Sequence, residues 1–179
     1  TTSSGNYKKP EATAAAIDRD GWFHTGDAGY LKDSHLYLTE RIKDLFKTSN
    51  GKYISPQALE TKLAIDRYID QIAVIADERK FVSALIVPVY GFVKDYAKEK
   101  GIAYSNMDEL LQHPKIQALF RARIDTLQQQ FAHYEQVKRF TLLTEPFSME
   151  RGELTNTLKL KRSVVAKNYK GLIDKMYEE

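Results

Sequence analysis

Cysteine is absent from the 179 residues. Its absence removes disulfides, thiolate metal sites and a cysteine nucleophile together, and it fits a reducing compartment. Excess charge of one sign is also scarce. Lys and Arg number 27 against 24 Asp and Glu, a net +3, too weak to point to nucleic acid. Long apolar runs are missing: the most apolar stretch, 82–93, is interrupted by Ser83, Pro88, Tyr90 and Gly91. It is too short to span a bilayer. No charged-then-apolar leader precedes Trp22, so a signal peptide is not expected. No Gly-x-Gly-x-x-Gly occurs, and Gly51-Lys52 lacks a partner glycine at phosphate-loop spacing. His24, His35, His113 and His133 show no pairing at helical spacing, so no metal site is expected. Internal repeats and low-complexity blocks are absent too.

What is present reads as a soluble globular chain, 42% hydrophobic and 28% charged. Its length suits one domain, or one domain plus a piece of another. The first residue is Thr1 rather than Met, as in a processed product or a piece of a longer chain.

Along the chain, Pro10 opens a short helix in an alanine-rich stretch. Residues 28–31 and 36–39 form a strand pair around a turn at 32–35. The charged stretch Glu40-Arg41-Ile42-Lys43-Asp44 marks a domain junction. Beyond it, strands at 45–48 and 52–54 bracket Ser49-Asn50-Gly51, where Asn-Gly predicts a hairpin because both residues tolerate positive φ. Ser55-Pro56 caps and opens a helix with Leu59 and Leu63 on its inner face. Strands follow at 69–76 and 81–89, turning at 77–80. Phe92, Val93, Tyr96 and Ala97 mark a helix that Gly101 stops. Ser105 caps another, and Pro114 restarts one. Ile116, Leu119, Phe120, Ile124, Leu127 and Phe131 then repeat at helical spacing. Residues 139–144 make a strand and 145–158 a loop. Val164, Val165, Tyr169, Leu172, Ile173 and Met176 form one last amphipathic helix. The fold class is α+β: a small mixed domain of short antiparallel sheets with flanking helices, preceded by a β-rich segment.

Three segments carry chemistry. In Thr25-Gly26-Asp27, a carboxylate held by a glycine turn suits a vicinal diol such as a ribose; taken alone, the segment reads first as a plain Asx turn between strands. From Arg41 to Ser55, the arginine offers a planar fork for ribose or phosphate oxygens. In the same stretch, Ser49-Asn50-Gly51 presents backbone N–H groups beside Lys47 and Lys52 for an anion or a narrow chain. The alternative there is a hairpin with a solvated charge rim. In 152–162, a loop lysine ahead of a helix can neutralise a phosphoryl transition state. Lys159, Lys161, Arg162, Lys167 and Lys170 also read as a solvated helix face.

Taken in order, Gly21-Trp22-Phe23-His24-Thr25-Gly26-Asp27, Arg41-Ile42-Lys43-Asp44 and Thr155-x-Thr157-x-Lys159-x-x-Arg162 resemble three core motifs of the AMP-forming acyl-CoA synthetases. The stretch from Tyr7 to Thr13 resembles the segment just ahead of the first motif. Lys43 to Ser49, Leu158 to Arg162 and Tyr134 to Phe140 look most like the long-chain fatty acid branch. Many members carry Ser-Gly-Lys where this chain has Thr157-Leu158-Lys159.

The resemblance implies roles. Asp27 and Arg41 hold the AMP ribose, and Lys43 is the hinge between domains. Lys159 is the lysine of adenylation. Ser49, Asn50, Gly51, Lys52 and Tyr53 form the loop along the CoA pantetheine path. It also implies a domain plan: 1–40 as the end of a large N-terminal domain, 41–44 as the hinge, and 45–179 as a mobile C-terminal domain with a helical insertion at about 91–135. ATP, CoA and Mg2+ are the expected cofactors of the full-length enzyme, none held tightly by these residues alone. The expected partners are the missing N-terminal domain, a fatty acid and CoA, and no nucleic acid. The expected location is cytoplasmic, with peripheral membrane association allowed. These residues by themselves are expected to turn nothing over. An aryl- or amino-acid-activating relative, and a basic non-catalytic nucleic-acid- or partner-binding module, stay open as alternatives.

Overall fold

The computed structural model describes residue 8 and residues 10–178. Tyr7 and Lys9 of the resemblance segment, and the start of the 1–40 region, lie outside the described residues. The chain divides into two compact units, with the break between Leu45 and Phe46.

The first unit holds helix α1 (Pro10–Ala16) and the hairpin of β1 (Asp27–Lys32) and β2 (His35–Arg41). Between them Asp18 organises a turn: its carboxylate accepts the Asp20 and Trp22 N–H groups and meets His24 Nε2 at 3.2 Å. The hairpin turns on Asp33 and Ser34, both at positive φ, the two-residue turn whose twist suits antiparallel strands. Tyr30 stacks on Tyr37 across it at 5.1 Å. Gly29 is obligatory there, because a Cβ would sit 2.6 Å from the Tyr37 carbonyl oxygen. A single 3-10 turn, Ile42–Asp44, follows between two extended residues, Arg41 and Leu45.

The second unit opens with the short hairpin of β3 (Phe46–Lys47) and β4 (Tyr53–Ile54), followed by α2 (Pro56–Leu63). Ser55 Oγ accepts the Ala58 N–H, so the capping expectation holds. Next come β5 (Ile69–Ile75), β6 (Val82–Pro88), α3 (Tyr90–Glu99), α4 (Met107–Gln112), α5 (Pro114–Leu127), β7 (Val137–Leu142), α6 (Arg162–Asn168) and α7 (Lys170–Tyr177). The sheet order is β5-β6-β7. β5 pairs antiparallel to β6, but β6 pairs parallel to β7. That pair departs from the antiparallel expectation, for a topological reason. Parallel neighbours need a long crossover, and the helical stretch α3–α5 supplies it.

Helices cover both faces of this sheet. Leu59, Leu63, Val93, Leu110, Ile116, Phe120 and Ile124 pack with Val74, Val82, Ala84 and Ile86 on one face. Val165, Ile173 and Met176 pack with Ala73, Leu85 and Val87 on the other. Successive residues of a strand point to opposite faces, so β6 is buried throughout and its sequence is apolar except at Ser83. Ser83 Oγ is satisfied by Tyr177 Oη at 2.8 Å.

Smaller differences from the expectations have local causes. The cap of α4 is Asn106 rather than Ser105: Asn106 accepts the Glu109 N–H while Glu109 accepts the Ser105 N–H. α5 ends at Leu127, and Phe131 reaches the core from the following loop. The last helix is two helices, because Tyr169 leaves helical geometry at φ −104°, ψ 17°.

Candidate active site

Register, not proximity in sequence, brings the two expected ribose contacts together. Asp27 and Arg41 are cross-strand partners at the base of the β1–β2 hairpin. Arg41 Nε lies 3.3 Å from Asp27 Oδ1, with the arginine side chain 70% exposed and the aspartate 25%. Thr25 Oγ1 accepts the Asp27 N–H, a local bond, and the Gly26 carbonyl accepts the Ile42 N–H from the far end of the hairpin, so both ends of the motif are fixed. Among the described residues, that ion pair leaves the carboxylate with lone pairs for a further donor and the arginine with further N–H groups. Lys43 is exposed in the 3-10 turn.

The loop of Ser49, Asn50, Gly51, Lys52 and Tyr53 is exposed throughout. The expected hairpin is present, but its turn does not use positive φ at both residues of the Asn-Gly pair. Only Gly51 has positive φ. The Gly51 N–H donates to the Thr48 carbonyl and the Thr48 N–H to the Lys52 carbonyl, the pattern of a type I turn closed by a glycine bulge. The backbone does not form an anion nest either. Ser49 N–H is spent on the Arg79 carbonyl and Lys52 N–H on Thr48 Oγ1. The loop is instead docked on the β5–β6 turn, where Lys47 N–H meets Asp77 Oδ1 and Glu78 N–H meets the Lys47 carbonyl. What it offers outward is side chains. Lys47 Nζ lies 6.0 Å from the Tyr53 ring centre, and Lys52 Nζ lies 5.5 Å from that of Tyr134, beyond α5.

Lys159 lies on a tight loop closed by an antiparallel bridge between Leu154 and Leu160. Thr155 organises it. Its N–H donates to the Lys159 carbonyl, its carbonyl accepts the Leu158 N–H, and its Oγ1 accepts the Lys159 N–H at 3.0 Å. Leu158 pays with φ +59°. The Lys159 backbone is thus fixed while its side chain stays exposed.

The sequence reading missed the acids around this loop. Glu153 is fully buried and accepts from Arg151, Asn168 and the Ser148 N–H. Burial alone would raise its carboxyl, but the bonds from Arg151, Asn168 and Ser148 outweigh burial and hold it below its usual range. Arg162, read as part of a solvated basic face, instead pairs bidentately with Glu60 at 2.6 and 2.7 Å. Apolar periodicity is blind to a buried carboxylate. The one available signal was a lone glutamate between Gly152 and Leu154.

A family model described as the AMP-binding enzyme C-terminal domain matches residues 43–179. Long chain acyl-CoA synthetase 7, peroxisomal, of Arabidopsis thaliana is 36% identical, over 98% of this chain and 26% of that protein. Long-chain-fatty-acid–CoA ligase 5 of Rattus norvegicus is 36% identical, over 97% of this chain and 26% of that protein. The chain therefore spans about a quarter of the length of these relatives. Among solved structures, the adenylation domain of a carboxylate reductase from Mycobacterium chelonae superposes with a TM-score of 0.74 at 26% identity, over 98% of this chain and 26% of that one.

Proposed function

The chain belongs to the family of AMP-binding enzyme C-terminal domains, and from that premise we propose that it is the C-terminal part of a long-chain fatty acid–CoA ligase. The reaction has two halves. A fatty carboxylate oxygen attacks the α-phosphorus of ATP, the α–β bridge breaks and pyrophosphate leaves. The CoA thiol, losing its proton, then attacks the acyl carbonyl, and AMP leaves.

In this reading the Asp27 carboxylate accepts from the ribose hydroxyls while the Arg41 fork donates to a ribose oxygen. Lys159 places its ammonium beside the carboxylate and the phosphoryl oxygens, where negative charge builds in the first half. Rotation about Lys43 then withdraws Lys159 and brings the loop of Ser49, Asn50, Gly51, Lys52 and Tyr53 to the pantetheine path. Higher identity to the CoA ligases (36%) than to the reductase adenylation domain (26%) favours CoA as the acceptor. The Mg2+ that the resemblance implies does not fit these residues. Among the described ones, no group of three or more His, Asp or Glu side chains is placed to hold a metal ion. The fatty acid pocket and the N-terminal domain belong to the longer enzyme. No helix among the described residues is long and apolar enough to cross a membrane. The reading keeps a cytoplasmic enzyme that meets lipid peripherally, because long acyl chains partition out of water.

The observation that carries the reading is Lys159 itself, an exposed cation on a backbone fixed by Thr155. In the longer enzyme, Lys159→Ala is expected to slow acyl-adenylate formation by about 100- to 1000-fold. Thioester formation from supplied acyl-adenylate should stay near wild type. Equal loss in both half-reactions would remove Lys159 from this role.

A further inference from the structure

Both ends of the Lys159 loop are held by acids that the loop does not contain or does not expose. On the entry side Glu153, its side chain 1% exposed, takes the Ser148 N–H at 3.0 Å and Asn168 Nδ2 at 3.1 Å. Arg151 Nε reaches both of its oxygens at 3.1 Å. The Glu153 carbonyl oxygen accepts the Lys161 N–H at 2.8 Å, which closes the base of the loop. On the exit side Arg162 sends two parallel bonds to Glu60 of α2. Glu60 Oε1 also accepts the Val74 N–H of β5 at 2.8 Å. The guanidinium of Arg162 stands 5.4 Å from the Phe46 ring centre.

Carboxylates are costly to remove from water unless every lone pair is used. Here one belongs to the residue at the entry of the loop, Glu153, and the other, Glu60, binds the residue at its exit, Arg162. Their other bonds lead to α6, α2 and β5, so separate parts of the packed core converge on the base of the loop. The loop contributes little to that core: Leu154 is buried, while Asn156, Thr157, Leu158 and Lys159 are exposed. Arrangements of this kind fix a backbone rather than fill an interior. A flexible lysine stem needs a fixed root if its ammonium is to meet a transition state.

We propose that Glu153 and Arg162 are positioning residues for Lys159, holding the root of its loop against α6 and against Glu60. The inference rests on the reading of Lys159 as the adenylation lysine. It does not require Glu153 or Arg162 to touch a substrate.

The test uses Glu153→Gln and Arg162→Lys, with Lys159→Ala in parallel. In the 179-residue chain, amide exchange at Lys159 and Lys161 is expected to rise about 10- to 100-fold, the loss of one charge-assisted bond. Exchange across β6 should not change. In the longer enzyme, both variants should lower kcat for acyl-adenylate formation by up to about 100-fold, with KM for acid and ATP little changed. Thioester formation from supplied adenylate should stay intact. Arg162→Lys keeps the charge and loses the fork, so it retains the fold if Glu153→Gln does not. Glu60→Gln, on the same pair, should repeat its effect. Unchanged exchange, or parallel loss of both half-reactions, overturns the positioning role. If Lys159→Ala spares adenylation, the reading of Lys159 falls and the positioning role with it. If Lys159→Ala abolishes adenylation and the other variants do not slow it, only the positioning role falls.

Discussion

Leu158 shows what single residues contribute. It sits at φ +59° and is 67% exposed, so packing repays little of the strain. The left-handed conformation costs an L-residue about 1–2 kcal/mol, and glycine there would forfeit about 0.5–1 kcal/mol of chain entropy. Leu158→Gly is expected to stabilise the chain by about 0.5 kcal/mol net of those two terms, read as a higher urea midpoint. A lower midpoint would mean that the leucine side chain does more than the backbone suggests. The sequence already marked this position, since the resembling motif often has glycine there. It did not reveal the φ angle, nor that Asp27 and Arg41 face one another. That pairing depends on a bulge between Ala28 and Gly29, which shifts the register at the base of the hairpin. Asn50 is a related case. An Asn-Gly pair fits more than one turn, and contacts with Arg79 and Lys80 selected the turn in which only glycine is left-handed.

At the scale of elements, the 145–161 loop carries a pH signature. Bonds to Arg151, Asn168 and Ser148 overcome the effect of burial and lower the Glu153 carboxyl in the folded state. A lowered carboxylate stabilises fully above its unfolded value of about 4.3. That contribution disappears as pH falls through the still lower folded value. Melting followed from pH 6 down to pH 2 (roughly the window of carboxylate titration) should therefore decline less steeply in Glu153→Gln. An acid limb identical to wild type would remove Glu153 as a source of that slope. Helices and hairpins were legible wherever apolar period and caps agreed, as at Ser55-Pro56. The break in the final helix was not legible, because the apolar spacing runs straight through it. Tyr169 is drawn into edge contact with Phe147 at 5.7 Å, a partner remote in sequence. Strand direction was equally hidden: 139–144 reads as a strand in either orientation, and the strand itself runs over Val137–Leu142.

At the scale of the molecule, the two units differ in what supports them. Among the described residues, the buried apolar clusters lie in the second unit. A lone two-stranded hairpin has marginal stability in water. Trp22, the single tryptophan, is in the first unit. Phe120 is fully buried beneath Tyr68 in the second. Phe120→Ala is expected to cost about 3–5 kcal/mol and to lower the melting transition seen by circular dichroism. Trp22 fluorescence should not follow that shift; coincident displacement of both signals would show that the units unfold as one.

The parallel pairing of β6 and β7 also sets an order of events in time. Val82 must find Val137 after the whole crossover has been made, so this contact is among the most expensive in loop closure. During synthesis β6 waits beside β5 with one bare edge, apolar on both faces. A chain halted before Val137 would keep that edge open, and open apolar edges pair with copies of themselves. The long crossover that completes the sheet therefore makes the last quarter of the chain its protection against aggregation.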